Sequence, residues 1–260
     1  MPMPVRILAS STVRLTFGLA DPIAVPRPPE RRAAGHSSSS VAGPSIVAGL
    51  HDAPLDVVVA GVQHGVALRC SPLLAYSLLA VPMHELANTV VDLETVLGRK
   101  LVRLADRVAD ATLWSHRFAV LEAGLVALRA AGPTPDPGVG WAWRRLHATG
   151  GAVRIETLAA ELGWSRRHLA RKFREQIGVS PKAAARIVRF EQAATLLAGE
   201  HRSLAAVAAD SGYADHAHLS REVRALTKWT PSELGRGLRL LDGADQRVSR
   251  PFKPGLRLSA

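Results

Sequence analysis

Residues 158–173 and 207–223 are variations on one short pattern, and a chain that carries the same helical motif twice has little freedom in what it becomes. In the first copy, Leu158-Ala159-Ala160-Glu161-Leu162 has helical spacing and ends at Gly163. Ser165 is a good N-cap for a second helix, which carries Leu169, Phe173 and Ile177 on its inner side. Helix, glycine-containing tight turn, helix is the helix-turn-helix signature. In the second copy, Val207-Ala208-Ala209-Asp210-Ser211-Gly212-Tyr213 matches Leu158 to Trp164 at an offset of 49. After one extra turn residue, His218-Leu219, Val223 and Thr230-Pro231 match His168-Leu169, Phe173 and Ser180-Pro181 at an offset of 50, with Asp215 in the N-cap role of Ser165.

The segment between the copies starts at Ser180-Pro181 and places Ile187, Val188, Phe190, Ala194 and Leu197 at helical spacing. A connector of about 19 residues at 1.5 Å per residue is roughly 28 Å long. Half-sites one DNA turn apart are separated by about 34 Å. One chain is thus expected to place two recognition helices in successive major grooves. Their outward faces follow by subtraction. The first presents Arg166, Arg167, Ala170, Arg171 and Arg174 behind the Ser165 cap; the second presents His216, Ala217, Ser220, Arg221 and Arg224. Arginine forks match guanine O6 and N7 and also grip phosphates, so double-stranded DNA is the expected partner.

Charge agrees without localising the function. The chain carries 33 Lys+Arg against 22 Asp+Glu, a formal net charge of +11, which favours polyanions over acidic small substrates. Glu156 to Leu240 accounts for +5 of it, so the remainder of the chain is as basic. The arrangement carries the assignment. The alternative that the charge alone supports is a non-specific nucleic-acid-binding protein.

These segments closely resemble the AraC/XylS family of transcription regulators, whose DNA-binding domain is two helix-turn-helix units joined by a long helix. The resemblance covers about Gly138 to Leu240, through Leu158 to Gly163, Ser165 to Phe173 with Gly178-Val179-Ser180-Pro181, and Gly212-Tyr213-Ala214-Asp215 to Thr230-Pro231. It implies that Arg167, Ala170 and Arg171, then His216, Ala217, Ser220 and Arg221, stand at or beside base-reading positions. It also implies promoter binding and RNA polymerase contact, usually as an activator; separately, no cofactor is expected. Three residues depart from the family pattern. Lys228 replaces a glycine, Val223 a phenylalanine, and Leu219 stands where phenylalanine is common.

Upstream, residues 1–70 read as a small antiparallel β unit with a mobile, Pro-, Gly- and Ser-rich loop between Asp21 and Pro54. From Ser71-Pro72 to Ala131 the pattern is helical, including a helix over His84 to Leu97 closed by Gly98. Helices covering a β unit make an α+β domain over 1–131, expected to sense an effector or to dimerise. Gly61 to Leu68, Ser71-Pro72 and Val81 to Leu86 faintly resemble such domains in the same family. Gly132-Pro133-Thr134-Pro135-Asp136-Pro137-Gly138 is the expected linker, 139–241 the all-helical DNA-binding domain and 242–260 a basic tail. A small-molecule effector and a homodimer stay open as partners.

Other signals are weak. His84-Glu85 with Asn88 lacks the second histidine of a zinc-binding helix, and His216 and His218 do not share a helix face, so no metal is expected. No phosphate loop, nucleophile elbow or paired catalytic carboxylates occur, so the chain is not expected to be an enzyme. The single cysteine, Cys70, fits a reducing cytoplasm and reads as a buried, inert thiol at a strand end. No stretch is apolar enough over about 20 residues to span a membrane.

Overall fold

The computed structural model describes residues 3–19, 23–26, 39–41, 43–59, 64–199 and 202–248. The proline- and serine-rich run at 27–38 and residues 249–260 of the expected tail lie outside the described residues. By contacts the chain forms two compact units, Met1–Glu191 and Gln192–Ala260.

The first unit opens with seven strands: β1 (Met3–Ile7), β2 (Val13–Gly18), β3 (Ile23–Pro26), β4 (Ser39–Val41), β5 (Ile46–Ala48), β6 (Leu55–Val59) and β7 (Gly65–Cys70). They pair antiparallel in two four-stranded sheets, ordered β1-β6-β3-β4 and β7-β2-β5-β8, where β8 is Val90–Asp92. Alternation in β2 buries Val13, Leu15 and Phe17 on one face. Cys70 ends β7 inside this core, and burial pushes its thiol up to about 12, so it stays protonated and unreactive.

Strand β8 was not foreseen, because His84 to Leu97 reads locally as helix. Instead, a 3₁₀ turn at Met83–Glu85 is followed by Asn88 in the left-handed region (φ +56°), which no helix continues through. Val90 and Val91 then pair with Ala48 and Val47. An unpaired edge of the buried β5 takes a β-branched segment, and tertiary hydrogen bonding overrides local periodicity. The Asn88 amide donates to Asp52 Oδ1 at 2.7 Å.

Helices pack on the sheet β7-β2-β5-β8. After α1 (Pro72–Leu79) come α2 (Leu93–Leu97), α3 (Arg99–Asp110) and α4 (Trp114–Ala131). Ser71 caps α1 by accepting from the Leu74 amide, with Pro72 at the first helical position. Helix α3 buries Leu101, Leu104 and Val108, which its helical spacing sets on one face.

The proline run ends α4 and starts α5 (Pro137–Ala148), whose cap is Asp136. It is also tied down: Ser77 Oγ donates to the Pro133 carbonyl at 2.9 Å, and the Asp136 amide donates to Gln176 Oε1 at 2.8 Å. Compactness therefore divides the chain elsewhere, between Glu191 and Gln192. Helices α6 (Ile155–Glu161) and α7 (Arg166–Gln176) complete the first unit, together with the start of α8 (Pro181–Ala198). One buried cluster runs from Val13, Leu15 and Phe17 through Met83 and Leu121 to Leu158, Phe173, Ile177 and Ile187.

The second unit contains α9 (Leu204–Asp210), α10 (His216–Thr227) and α11 (Pro231–Val248), with Val207, Ala208, Leu219, Val223, Leu226 and Leu234 buried. Helix α11 carries on to Val248, past the expected start of the tail at 242. Among the described residues, no helix is long and apolar enough to cross a membrane.

Candidate nucleic-acid interface

Each copy of the motif is built by the same local rules. Helix α6 ends where Gly163 adopts φ +66°, its amide bonding Ala160 O while the Trp164 amide bonds Ala159 O at 2.8 Å. Helix α9 ends at Gly212 with φ +71°, its amide bonding Ala209 O while the Tyr213 amide bonds Ala208 O at 2.9 Å. Only glycine enters that region without a Cβ penalty, so both turns close alike. Ser165 Oγ then accepts from the His168 amide at 3.1 Å, and Asp215 Oδ1 from the His218 amide at 2.6 Å. That amide bond, helped by the Ala217 amide and then by the charge of Arg221, holds the Asp215 carboxyl below its ordinary range.

The burial of the two second helices agrees position by position. Ser165, Arg166, Arg167, Arg171 and Arg174 are exposed, Ala170 is half-buried, and Leu169 and Phe173 are sealed. Likewise Asp215, His216, Ala217, Arg221 and Arg224 are exposed, Ser220 is half-buried, and Leu219 and Val223 are sealed. A pairing that sequence reading missed repeats as well. Trp164 meets the His168 ring edge-on at 4.7 Å, and Tyr213 meets His218 at 5.2 Å. The alignment of the two copies already sets Trp164 against Tyr213 and His168 against His218; the ring contact itself appears only in the folded turn.

The predicted residues of α7 do not all point one way. Arg167, Ala170, Arg171 and Arg174, with Ser165 and His168, line a cleft of about 790 Å³. Arg166 turns aside to Glu156 of α6 at 3.2 Å, and Arg171 also pairs with Glu175 at 3.6 Å. Both pairs are exposed, and such pairs are worth about 0–1 kcal/mol, so a phosphate or a guanine edge can replace them at little cost. Arg167 and Arg174 form no ion pair among the described residues. On α10, the Ser220 hydroxyl donates to His216 O at 2.8 Å, leaving its oxygen lone pairs as acceptors.

The back of α7 is firmly held. Lys172 Nζ lies 3.3 Å from Asp136 Oδ2, Gln176 accepts from the Asp136 amide, and Glu175 lies close enough to the Tyr76 hydroxyl of α1 for its charge, after burial, to raise that hydroxyl's pKa. Pro82 and His84, some eighty residues upstream, also line the cleft. Nothing local in the sequence marks them, because the contact is made only by the tertiary fold.

Comparison with known proteins agrees with this geometry. A family model described as a helix-turn-helix domain matches residues 158–237, from within α6 into α11. No curated protein gives a significant match. Among solved structures, the chain is similar to ToxT from Vibrio cholerae in its P21 form, at 12% identity and a TM-score of 0.50, covering 90% of this chain and 96% of that one. It is similar to ToxT from Vibrio cholerae O395 at 13% identity and a TM-score of 0.50, with coverage of 92% and 97%. A probable AraC family transcriptional regulator from Rhodopseudomonas palustris is 28% identical over 40% of this chain and 99% of its own, with a TM-score of 0.36.

Proposed function

From the helix-turn-helix match over residues 158–237 we propose that the chain is a sequence-specific DNA-binding transcription regulator of the AraC type. The observation that carries the proposal is the equivalence of α7 and α10, which share the N-cap hydrogen bond, a left-handed glycine ending the preceding helix, and the same order of exposed, half-buried and sealed positions from the cap through Arg174 and Arg224. A merely basic surface has no need to be built twice. In this reading Arg167, Ala170 and Arg171, then His216, Ala217, Ser220 and Arg221, face base edges in two successive major grooves. Ser165, Arg166, Arg174 and Arg224 fix register on the phosphates.

The domain division expected from sequence belongs to the proposal too: 1–131 senses, 139–241 reads DNA. The tie between the back of α7 and α1 supports it, since a change in the first part reaches a recognition helix through packed side chains. A small-molecule signal, activation through RNA polymerase, a homodimer and action in the cytoplasm complete the reading. The protein acts by binding, without catalysis.

Selection of random duplexes at physiological salt tests it. Two short enriched blocks about ten base pairs apart are the expected outcome. Salt-sensitive binding without any enriched sequence would overturn it in favour of a non-specific nucleic-acid-binding protein. On the selected duplex, Arg171→Ala is expected to cost about 1–3 kcal/mol and to relax preference at one position.

A further inference from the structure

The cleft along α7 has a wall that the helix-turn-helix does not supply. Pro82 and His84 line the cleft together with Arg167, Ala170, Arg171 and Arg174. The wall is anchored. Met83, between them, is buried in the core, and its carbonyl lies so near the turn after α7 that a Cβ on Gly178 would fall 2.9 Å from it. Gly178 itself has φ +105°. Met83 is fixed and His84 is exposed, so the turn presents the imidazole to the cleft that the outward face of α7 also lines.

Groove dimensions say what must fill this space. A helix with its side chains is about 10–12 Å across, and the major groove is about 12 Å wide. An element rising beside a seated recognition helix therefore meets the sugar-phosphate wall, not base edges. The lining beside the base-reading Arg167 and Arg171 is suited to that occupant: Arg174 and two histidines, with one carboxylate, Glu175, already paired with Arg171.

We propose that one strand of the DNA backbone lies in this cleft, and that His84, from the part of the chain outside the helix-turn-helix domain, donates a hydrogen bond to one of its phosphates. The inference rests on the DNA-binding reading above. It makes the turn Met83–Glu85 part of the interface, so any signal that shifts this turn alters affinity directly.

The test uses the full chain and the selected duplex. His84→Ala is expected to weaken binding about tenfold, the value of one hydrogen bond to a charged group, equally for all sequences. A series of duplexes, each with one phosphate replaced by methylphosphonate, then locates the contact. One position weakens the parent protein but leaves His84→Ala unaffected, while circular dichroism is unchanged. Unaltered binding by His84→Ala, with Arg171→Ala impaired, overturns the proposal and leaves the DNA-binding reading intact. Tighter binding by His84→Ala also overturns it, since the turn then obstructs the helix. If the parent protein selects no sequence, the underlying reading has failed instead.

Discussion

Lys228 shows how much one side chain's conformation matters. It closes α10 in the left-handed region, at φ +65°, with its amide bonding Arg224 O at 2.9 Å, where the first copy has Gly178. A non-glycine residue there carries a steric cost of about 1 kcal/mol, and Lys228 is exposed, so no packing offsets it. Lys228→Gly is therefore expected to stabilise the second unit by about 1 kcal/mol, read as a higher denaturant midpoint for α10. A lower midpoint would mean that the aliphatic stem contributes more than the strain. Sequence comparison of the two copies found this position; the backbone angle turned it into an energy.

Among the elements, the sheet β7-β2-β5-β8 holds an unusual pair. Arg14 of β2 lies directly opposite Arg69 of β7. The Arg14 guanidinium is held below its ordinary value, first by burial and then by the charge of Arg69. Like charges facing across an antiparallel pair are destabilising, and opposite charges contribute about 0.2–1 kcal/mol. Arg69→Glu should thus raise the melting temperature, more at low than at high salt; a salt-independent fall would show that the pair's alkyl stems matter more than its charge. The helices were the readable elements. Their starts at Ser71, Asp136, Ser165 and Asp215 are side-chain caps, each with a donor two or three residues away. Strand β8 was not readable, because its partner lies more than forty residues back in the chain.

Across the whole molecule, the first helix-turn-helix shares a buried cluster with the β unit and its helices, whereas α10 packs on α9 and α11. A fragment of residues 139–260 lacks α1 and the Met83 turn, leaving part of α7 uncovered. Amide hydrogen exchange should then show lower protection in α7 of the fragment than in the full chain, with α10 unchanged. Equal protection of α7 in both would mean that α5, α6 and α8 hold it unaided. The proline run was read as a break and is one for helices, but not for packing: Asp136 serves at once as cap of α5, donor to Gln176 and ion-pair partner of Lys172.

What the sequence by itself determined are the features written within a few residues: helix spacing, caps, glycine turns, and hence the two helix-turn-helix units and their outward arginines. Each depends on contacts three or four residues apart, which amino-acid order specifies directly. Only the tertiary structure decided that Val90–Asp92 is a strand, that Arg166 turns to Glu156, and that His84 lines a cleft with α7. Those outcomes depend on which distant surfaces bury each other. Many pairings share the same local pattern, and the packed core selects one of them.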